Sequence, residues 1–401
     1  MPTASPFPAS ILRPPISCAR PVGERNGTDG IGAGKPMASS REGDGADPLT
    51  RGSAGQRKLA GQASRGRMDT IAATDPAALF ELGNALLERG RIEAAIEAFR
   101  RCLAAAPDHA GTHYNLGNCL VRAGRPVEAI EAYLACVRKL PEFGPGYVNL
   151  ADTLRRLGLL DQARWAAETG RALLPETAEA ATCLASVLHD LAQYEPAAAL
   201  YQQAVAREPT AGAFTSLGNT LRAMGRLDDA LAAHESAVSA APGDAEARFN
   251  RALTLLAAGD YPLGFVEYEW RWQRTEHQAR APGKWWRGEI PEGRTILLHA
   301  EQGLGDTLQF VRYAPLVAGL GARVVMEVQP ELLRLVAGIR GIAEVVPSGQ
   351  TLPPFDMQCP LLSQPRVFRT RLDTVPATVP YLPVDPDMVA AWDSRLPQDG
   401  M

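Results

Sequence analysis

The sequence lacks the cysteine spacing of metal sites and of disulfide-rich domains. Its six cysteines lie far apart, with no CxxC pair and no cluster of cysteine and histidine. This spacing supports neither a zinc site nor a disulfide framework. We therefore expect no metal ligands and no cofactor, and the reduced cysteines favour a cytoplasmic location.

Long hydrophobic runs and a strong charge of either sign are also missing. No uninterrupted apolar stretch is long enough to span a membrane as a helix. The net charge of -4 gives no reason to expect nucleic acid or an anionic membrane as a partner. Large apolar side chains are scarce in residues 1–70, which are rich in Gly, Pro, Ser, Ala and Arg, so we predict a disordered N-terminal extension there.

What the chain does have is four series of residues that recur every 33 or 34 positions. The first pairs leucine with a small residue: Leu82-Gly83, Leu116-Gly117, Leu150-Ala151, Leu184-Ala185 and Leu217-Gly218. The second is a proline series: Pro107, Pro141, Pro175, Pro209 and Pro242. The third is Ala95, Ala129, Ala163, Ala197 and Ala230, and the fourth is Gly90, Gly124, Gly158, Gly225 and Gly259, with Ala192 in the place of one glycine. Series that share one period indicate stacked structural repeats.

Each series has a physical reason. The small residue after leucine lets two helices approach closely, and the recurrent alanine is the contact point on the second helix. The glycine ends the first helix with a positive φ, and the proline closes the unit. This pattern is typical of tetratricopeptide repeats, and the chain resembles that family over five clear units and a sixth, degenerate one from about Ala245. We predict an all-α superhelix of about six repeats over residues 71–275.

Asparagines recur at two positions on the first helix of several units. One position holds Asn115, Asn149 and Asn250, and the other holds Asn84, Asn118 and Asn219. An amide both donates and accepts hydrogen bonds, so such a row can bind an extended peptide backbone without demanding its sequence. Similar asparagine rows in the O-linked N-acetylglucosamine transferases hold protein substrates, so the resemblance implies a protein or extended peptide as partner. The alternative is that these amides bond between helices or face water.

The pattern changes after a tryptophan-rich junction at residues 276–294. Alternating apolar strands and helices then predict a parallel α/β unit over residues 295–385, with a tail at 386–401. The predicted strands are Thr295–Ala300, Arg323–Val328, Ile342–Val346 and Phe355–Cys359, and the predicted helices are Asp306–Leu320 and Pro330–Ala337. Four tryptophans bracket the junction (Trp270, Trp272, Trp285 and Trp286), and domain packing explains them better than a carbohydrate-stacking platform.

A glycine-containing loop, Glu301-Gln302-Gly303-Leu304-Gly305-Asp306, joins the first strand to its helix. It is neither a dinucleotide fingerprint nor a P-loop. The surrounding run LLHAEQGLGDTLQFVRYAPL, with PPFDMQCPLLSQP further on, resembles a bacterial family in which such repeats are fused to a GT-B glycosyltransferase similar to heptosyltransferases. The resemblance covers about residues 260–395 and implies a Rossmann-like first half of the GT-B domain.

The same resemblance assigns the role of general base to Asp306, and the alternative is that Asp306 only caps its helix. Glu301, Gln302, Gly303, Gly305 and His299 are the further candidates for ligand contact. Because the sequence ends at Met401, where the second GT-B half is expected to begin, we expect a truncated domain. We therefore expect a protein-binding scaffold that is inactive alone. The alternative is a glycosyltransferase that uses a nucleotide-sugar only with a longer chain or a complementing subunit.

Overall fold

The computed structural model describes residues 75–274, 283–393 and 395. The predicted disordered extension at residues 1–70, residues 276–282 of the predicted junction and most of 394–401 lie outside the described residues. The chain divides into two compact units, Met1–Glu208 and Pro209–Met401.

The described part of the first unit consists of helices joined in antiparallel pairs. The helices are α1 (Pro76–Glu88), α2 (Ile92–Ala105), α3 (Ala110–Arg122), α4 (Pro126–Lys139), α5 (Gly144–Arg156), α6 (Leu160–Leu173), α7 (Ala178–Asp190) and α8 (Tyr194–Arg207). Each predicted repeat is one such pair, and the proline series falls two residues after each second helix, as expected for a residue that closes the repeat.

The turn inside each pair has the backbone that the glycine series predicts. Gly90, Gly124 and Gly158 have φ of 70°, 72° and 73°, in the left-handed region where a Cβ is unfavourable. Ala192 occupies the same turn with φ of 57°, so this one pair carries a non-glycine residue in that conformation.

Close helix contact explains the small residue after leucine. A Cβ on Gly83 would lie 2.4 Å from the Phe99 ring, and one on Gly117 would lie 2.5 Å from the Tyr133 ring. Both aromatic side chains are buried, as is every alanine of the recurrent series. The predicted roles of the small residue and of the recurrent alanine are therefore confirmed, and the ring that each glycine contacts lies four residues after that alanine.

The second unit begins with two more helix pairs and continues into a sheet. Its repeat helices are α9 (Ala211–Ala223), α10 (Leu227–Ala240), α11 (Ala245–Ala257) and α12 (Tyr261–Tyr268), followed by a 3-10 turn at Glu269–Gln273. The strands are β1 (Lys284–Trp285), β2 (Thr295–His299), β3 (Arg323–Val328), β4 (Ile342–Pro347) and β5 (Met357–Pro360). The later helices are α13 (Leu304–Phe310), α14 (Ala314–Gly319), α15 (Leu333–Val336), α16 (Gln364–Val367) and α17 (Pro386–Asp393).

All five strands pair in parallel in the order β1-β5-β2-β3-β4. The chain moves from β2 to β3 and β4 on one side and returns to β5 on the other, so the strand order reverses at the carboxyl end of β2. Such a reversal opens a crevice where ligands commonly bind in α/β proteins. The residues that follow β2 and β5 meet at this edge.

The structure corrects several details of the sequence-based fold. The helix predicted at Asp306–Leu320 begins earlier, at Leu304, and a 3-10 turn divides it into α13 and α14. Three elements were missed because none has a clear apolar period: the two-residue edge strand β1, in the predicted junction, the four-residue helix α16, and α17, in the predicted tail. All four predicted strands match the observed strands to within two residues at each end.

Candidate functional sites

The asparagines of the first unit form two hydrogen-bonded pairs between neighbouring repeats. The Asn115 Nδ2 donates to the Asn84 Oδ1 at 2.8 Å, and the Asn149 Nδ2 donates to the Asn118 Oδ1 at 2.8 Å. The Tyr133 hydroxyl also donates to the Asn118 Oδ1, at 2.7 Å. The two predicted positions therefore meet across the boundary between repeats, which is the bonding between helices that the sequence left open as the alternative, and the same geometry recurs one repeat further on.

These pairs leave unused hydrogen-bonding groups. Asn84 and Asn118 each serve as acceptor through Oδ1, and neither Nδ2 group has a partner among the described residues. Both side chains are half-buried, so the two amide groups are within reach of solvent. Since an amide nitrogen carries two donors, the row offers donors at a spacing of one repeat.

An aromatic side chain precedes each of these asparagines by one helical turn. Phe80 lies four residues before Asn84, and Tyr114 lies four residues before Asn118, so each pair shares a helix face. Both rings are half-buried and pack edge to face on rings from the loop after the second helix, with centroids 4.9 Å apart for Phe80 and His109. On α1 and on α3, the first helices of two consecutive repeats, an aromatic ring and an amide group therefore lie next to each other on the same face.

The two candidate asparagines of the second unit have other hydrogen-bond partners. Asn250 is buried, and its Nδ2 donates to the Glu246 carbonyl and to the Glu246 carboxylate, within one helix. Asn219 instead accepts from Arg222 at 3.2 Å. Glu246, one turn earlier, thus accepts the hydrogen bonds that the Asn250 amide donates.

In the loop after β2, Asp306 is the third residue of α13, and Gly303 is the N-cap of that helix. The Asp306 Oδ2 accepts from the Gly303 backbone N–H at 3.1 Å, so Asp306 stabilises the start of α13 from inside the helix and not as the N-cap residue expected from the sequence. The Oδ1 has no described partner, and the side chain is half-buried. Neither Gly303 nor Gly305 has a positive φ, and a Cβ on Gly305 would meet no atom within 4 Å. The fold itself therefore does not require glycine at residue 305.

Polar side chains hold this loop in place. The Gln302 Nε2 donates to the Tyr268 hydroxyl at 3.0 Å, and the Gln302 carbonyl accepts from the Gln329 Nε2 at 2.8 Å. The Thr307 hydroxyl donates to the Gln329 Oε1 at 2.9 Å. His299 is buried at the end of β2, away from solvent.

The predicted ligand residue Glu301 is engaged in a buried ion pair. Its two carboxylate oxygens each lie 3.0 Å from the guanidinium of Arg271, and one also accepts from the Leu362 N–H. Burial raises the pKa of Glu301, and the facing Arg271 guanidinium opposes that rise. Glu301 thus positions the loop and is not available to a ligand.

Sequence reasoning missed Arg271, which is fully buried. Besides Glu301, it donates to the Glu269 carboxylate and to the Ser363 hydroxyl, both at 2.8 Å. The signal was present in the sequence as a single arginine between two tryptophans, a setting in which a guanidinium stacks on rings. Its carbon Cζ lies 4.7 Å from the Trp272 ring centroid.

The tryptophans of the junction have different environments. Trp286 is buried in the core under the sheet, where its Nε1 donates to the Glu289 carbonyl at 2.8 Å. Trp272 and Trp285 are half-buried and meet edge to face, with centroids 5.2 Å apart. Core packing thus accounts for Trp286, while the other two rings remain partly accessible.

Among the described residues, no helix is long and apolar enough to cross a membrane. In the same part of the chain, no group of three or more Cys, His, Asp or Glu side chains is placed to hold a metal ion.

Comparison with known proteins identifies the helical part of the chain. Residues 75–142 and 215–274 match the family model described as tetratricopeptide repeat. Together with the helix pairs and their glycine turns, this match shows that the helical part of the chain consists of tetratricopeptide repeats.

Individual relatives cover only part of the chain. Protein FlbA of Caulobacter vibrioides is 27% identical over 202 residues, which is 44% of this chain and 34% of FlbA, so the matched part spans about a third of that relative. A thermophilic tetratricopeptide-repeat protein of Thermus thermophilus is 28% identical, with 45% of this chain and 100% of that chain covered and a TM-score of 0.39. YrrB, described as a tetratricopeptide-repeat protein with an unusual peptide-binding site, is 20% identical, with 43% and 90% covered and a TM-score of 0.39.

Proposed function

We propose that the chain is a scaffold that binds an extended polypeptide along the first helices of its tetratricopeptide repeats. The observation that carries the proposal is the row of paired asparagines, in which Asn84 and Asn118 keep an Nδ2 group without a described partner. Amide donors one repeat apart suit the carbonyl groups of an extended backbone, and the rings of Phe80 and Tyr114 suit apolar side chains between them.

The pairing supports this role because it fixes the amides in advance. The donation from Asn115 and from Asn149 orients each acceptor oxygen toward the neighbouring repeat, so the Nδ2 group points away from it. A side chain already held in one rotamer loses less entropy on binding. The row thereby contributes affinity without selecting a particular sequence.

The test begins with selection of binding peptides from a displayed library of random twelve-residue sequences. Replacement of Asn84 and Asn118 by Ala together removes two hydrogen bonds, each worth about 1 kcal/mol, and we expect affinity to fall by about tenfold or more. The matched control replaces Gln202 and Gln203, exposed amides on a second helix, and should bind normally. Equal binding by the asparagine variant, at unchanged helicity, would contradict the proposal.

For the second unit we infer a role as the acceptor-side, Rossmann-like half of a GT-B glycosyltransferase. The specific support is the strand reversal at β2, with Asp306 and the open space beside Gly305 at that edge. A GT-B enzyme uses two such sheets, and the described residues contain one. A nucleotide-sugar would therefore require a further sheet from a longer chain or another subunit.

In this role Asp306 takes the proton of an acceptor hydroxyl through its unpaired Oδ1. In an assembly that transfers sugar, Asp306→Asn keeps the helix cap and should lower kcat by about a hundredfold or more. Gly305→Leu should block the acceptor without changing stability, whereas Gly319→Leu, which also faces open space, should have no effect on activity. A near wild-type rate for Asp306→Asn would show that Asp306 is not the general base.

A further inference from the structure

A cavity of about 350 Å³ lies in the second unit, apart from the asparagine row and from the loop of Asp306. Its walls include the two partly accessible tryptophans, Trp272 and Trp285, and the floor includes the buried Trp286. Trp285 ends β1 and Ser363 follows β5, so the cavity opens at the carboxyl edge of the sheet, where α/β proteins bind ligands. Its volume is in the range of small-molecule sites.

The polar groups of the cavity are few and fixed. The Ser363 hydroxyl donates to the Glu269 carboxylate at 2.8 Å, and Arg366 lies 3.4 Å from the other oxygen of Glu269. Arg271, buried behind them, holds both Glu269 and Ser363. An apolar, aromatic wall with a small number of oriented polar groups is typical of a ligand pocket.

The charge of the lining is unbalanced. Glu269 is neutralised by its arginine partners, whereas the guanidinium of Arg287 has no ion pair or hydrogen bond among the described residues. An exposed guanidinium at the mouth of an aromatic cavity favours a carboxylate, which it can bind through two parallel hydrogen bonds.

We propose that this cavity binds a sugar ring that carries a carboxylate, that is, a uronic acid type of ligand. Because the indole rings of Trp272 and Trp285 are inclined at 73° to each other, one ring packs on the apolar face of the sugar and the other contacts its edge. Ser363 and Glu269 bind its hydroxyl groups, and Arg287 binds the carboxylate. The site contains neither Asp306 nor an asparagine of the repeat row, so it stands or falls independently of the proposed functions.

The test is a titration of the full chain with D-glucuronate, D-glucose and acetate, followed by ligand-detected NMR and by tryptophan fluorescence. We expect saturable binding of glucuronate, with glucose at least about tenfold weaker and acetate unable to compete. Arg287→Gln should weaken glucuronate binding by about tenfold, the value of one charge-assisted contact. Arg294→Gln, which changes a surface arginine outside the cavity, should leave it unchanged.

Three outcomes would overturn the proposal. Absence of saturable binding would show that the cavity is not a sugar site. Equal binding of glucose and glucuronate, with no effect of Arg287→Gln, would show that the cavity does not recognise the carboxylate. Full competition by acetate would show that the sugar ring does not contribute to binding. Each variant is compared by its thermal melt, and because Arg287 is exposed and unpaired, its loss should not affect folding.

Discussion

Replacement of His234 should change the pH dependence of stability. His234 occupies the position in α10 that Phe99 and Tyr133 hold in other repeats, and a Cβ on Gly218 would lie 2.6 Å from its ring. The ring is fully buried, and neither nitrogen has a hydrogen-bond partner in the described structure. Burial, aided by the positive charges of Arg222 and Arg251, lowers the pKa of His234 from 6.5 to about 4.

The sign of the effect follows from proton binding. Between pH 6.5 and pH 4 the unfolded chain holds a proton on this imidazole that the folded chain does not, so stability falls as the pH falls through that range. With these two pKa values, the free energy of unfolding should drop by about 2 kcal/mol between pH 7.5 and pH 5 on account of His234 alone. The variant His234→Phe should lose this contribution and keep the packing.

The assay is urea unfolding followed by far-ultraviolet circular dichroism, for both proteins at both pH values. The stability advantage of His234→Phe over the wild type should grow by about 2 kcal/mol on acidification. Tyr201→Phe, a change at the equivalent position of α8 that involves no imidazole, serves as control. The difference in free energy of unfolding between Tyr201→Phe and the wild type should be the same at both pH values. A pH-independent difference for His234→Phe would refute the argument.

Two further substitutions test the packing of the repeats. Gly117→Ala places a methyl group 2.5 Å from the Tyr133 ring and should lower the free energy of unfolding in urea by about 1–3 kcal/mol. Gly212→Ala, whose methyl group meets no atom within 4 Å, should not destabilise the protein. Equal effects of the two substitutions would contradict the close-contact role of Gly117. Ala192→Gly should stabilise the first unit by up to about 1 kcal/mol, because it relieves the positive φ of a turn that holds glycine in the other repeats, and a lower melting temperature would count against this reason.

Most of the repeat fold was predictable because its determinants are local and periodic. Gly90 and its equivalents take positive φ, and Gly83 and Gly117 lie in close contact with the second helix of their repeats, both as the spacing predicts. Strands β2 and β3 were equally clear, since each is a short apolar run bounded by turn residues.

The sites were less predictable, since they depend on contacts between distant residues. The spacing of the asparagines placed Asn84 and Asn115 on helices, but their mutual hydrogen bond depends on how two repeats stack. The pairing of Arg271 with Glu301, 30 residues away, has no local signal at all. It is this buried pair that removes Glu301 from the candidates for ligand contact.

The most direct test of polypeptide binding observes the side-chain amides themselves. With a library-selected peptide added to the isotopically labelled chain, the Nδ2 resonances of Asn84 and Asn118 should shift together and saturate with one Kd. The Nδ2 resonance of Asn250, which is bonded to Glu246, should remain in place. Saturable peptide binding that leaves the Asn84 and Asn118 resonances unmoved would contradict the proposed binding face.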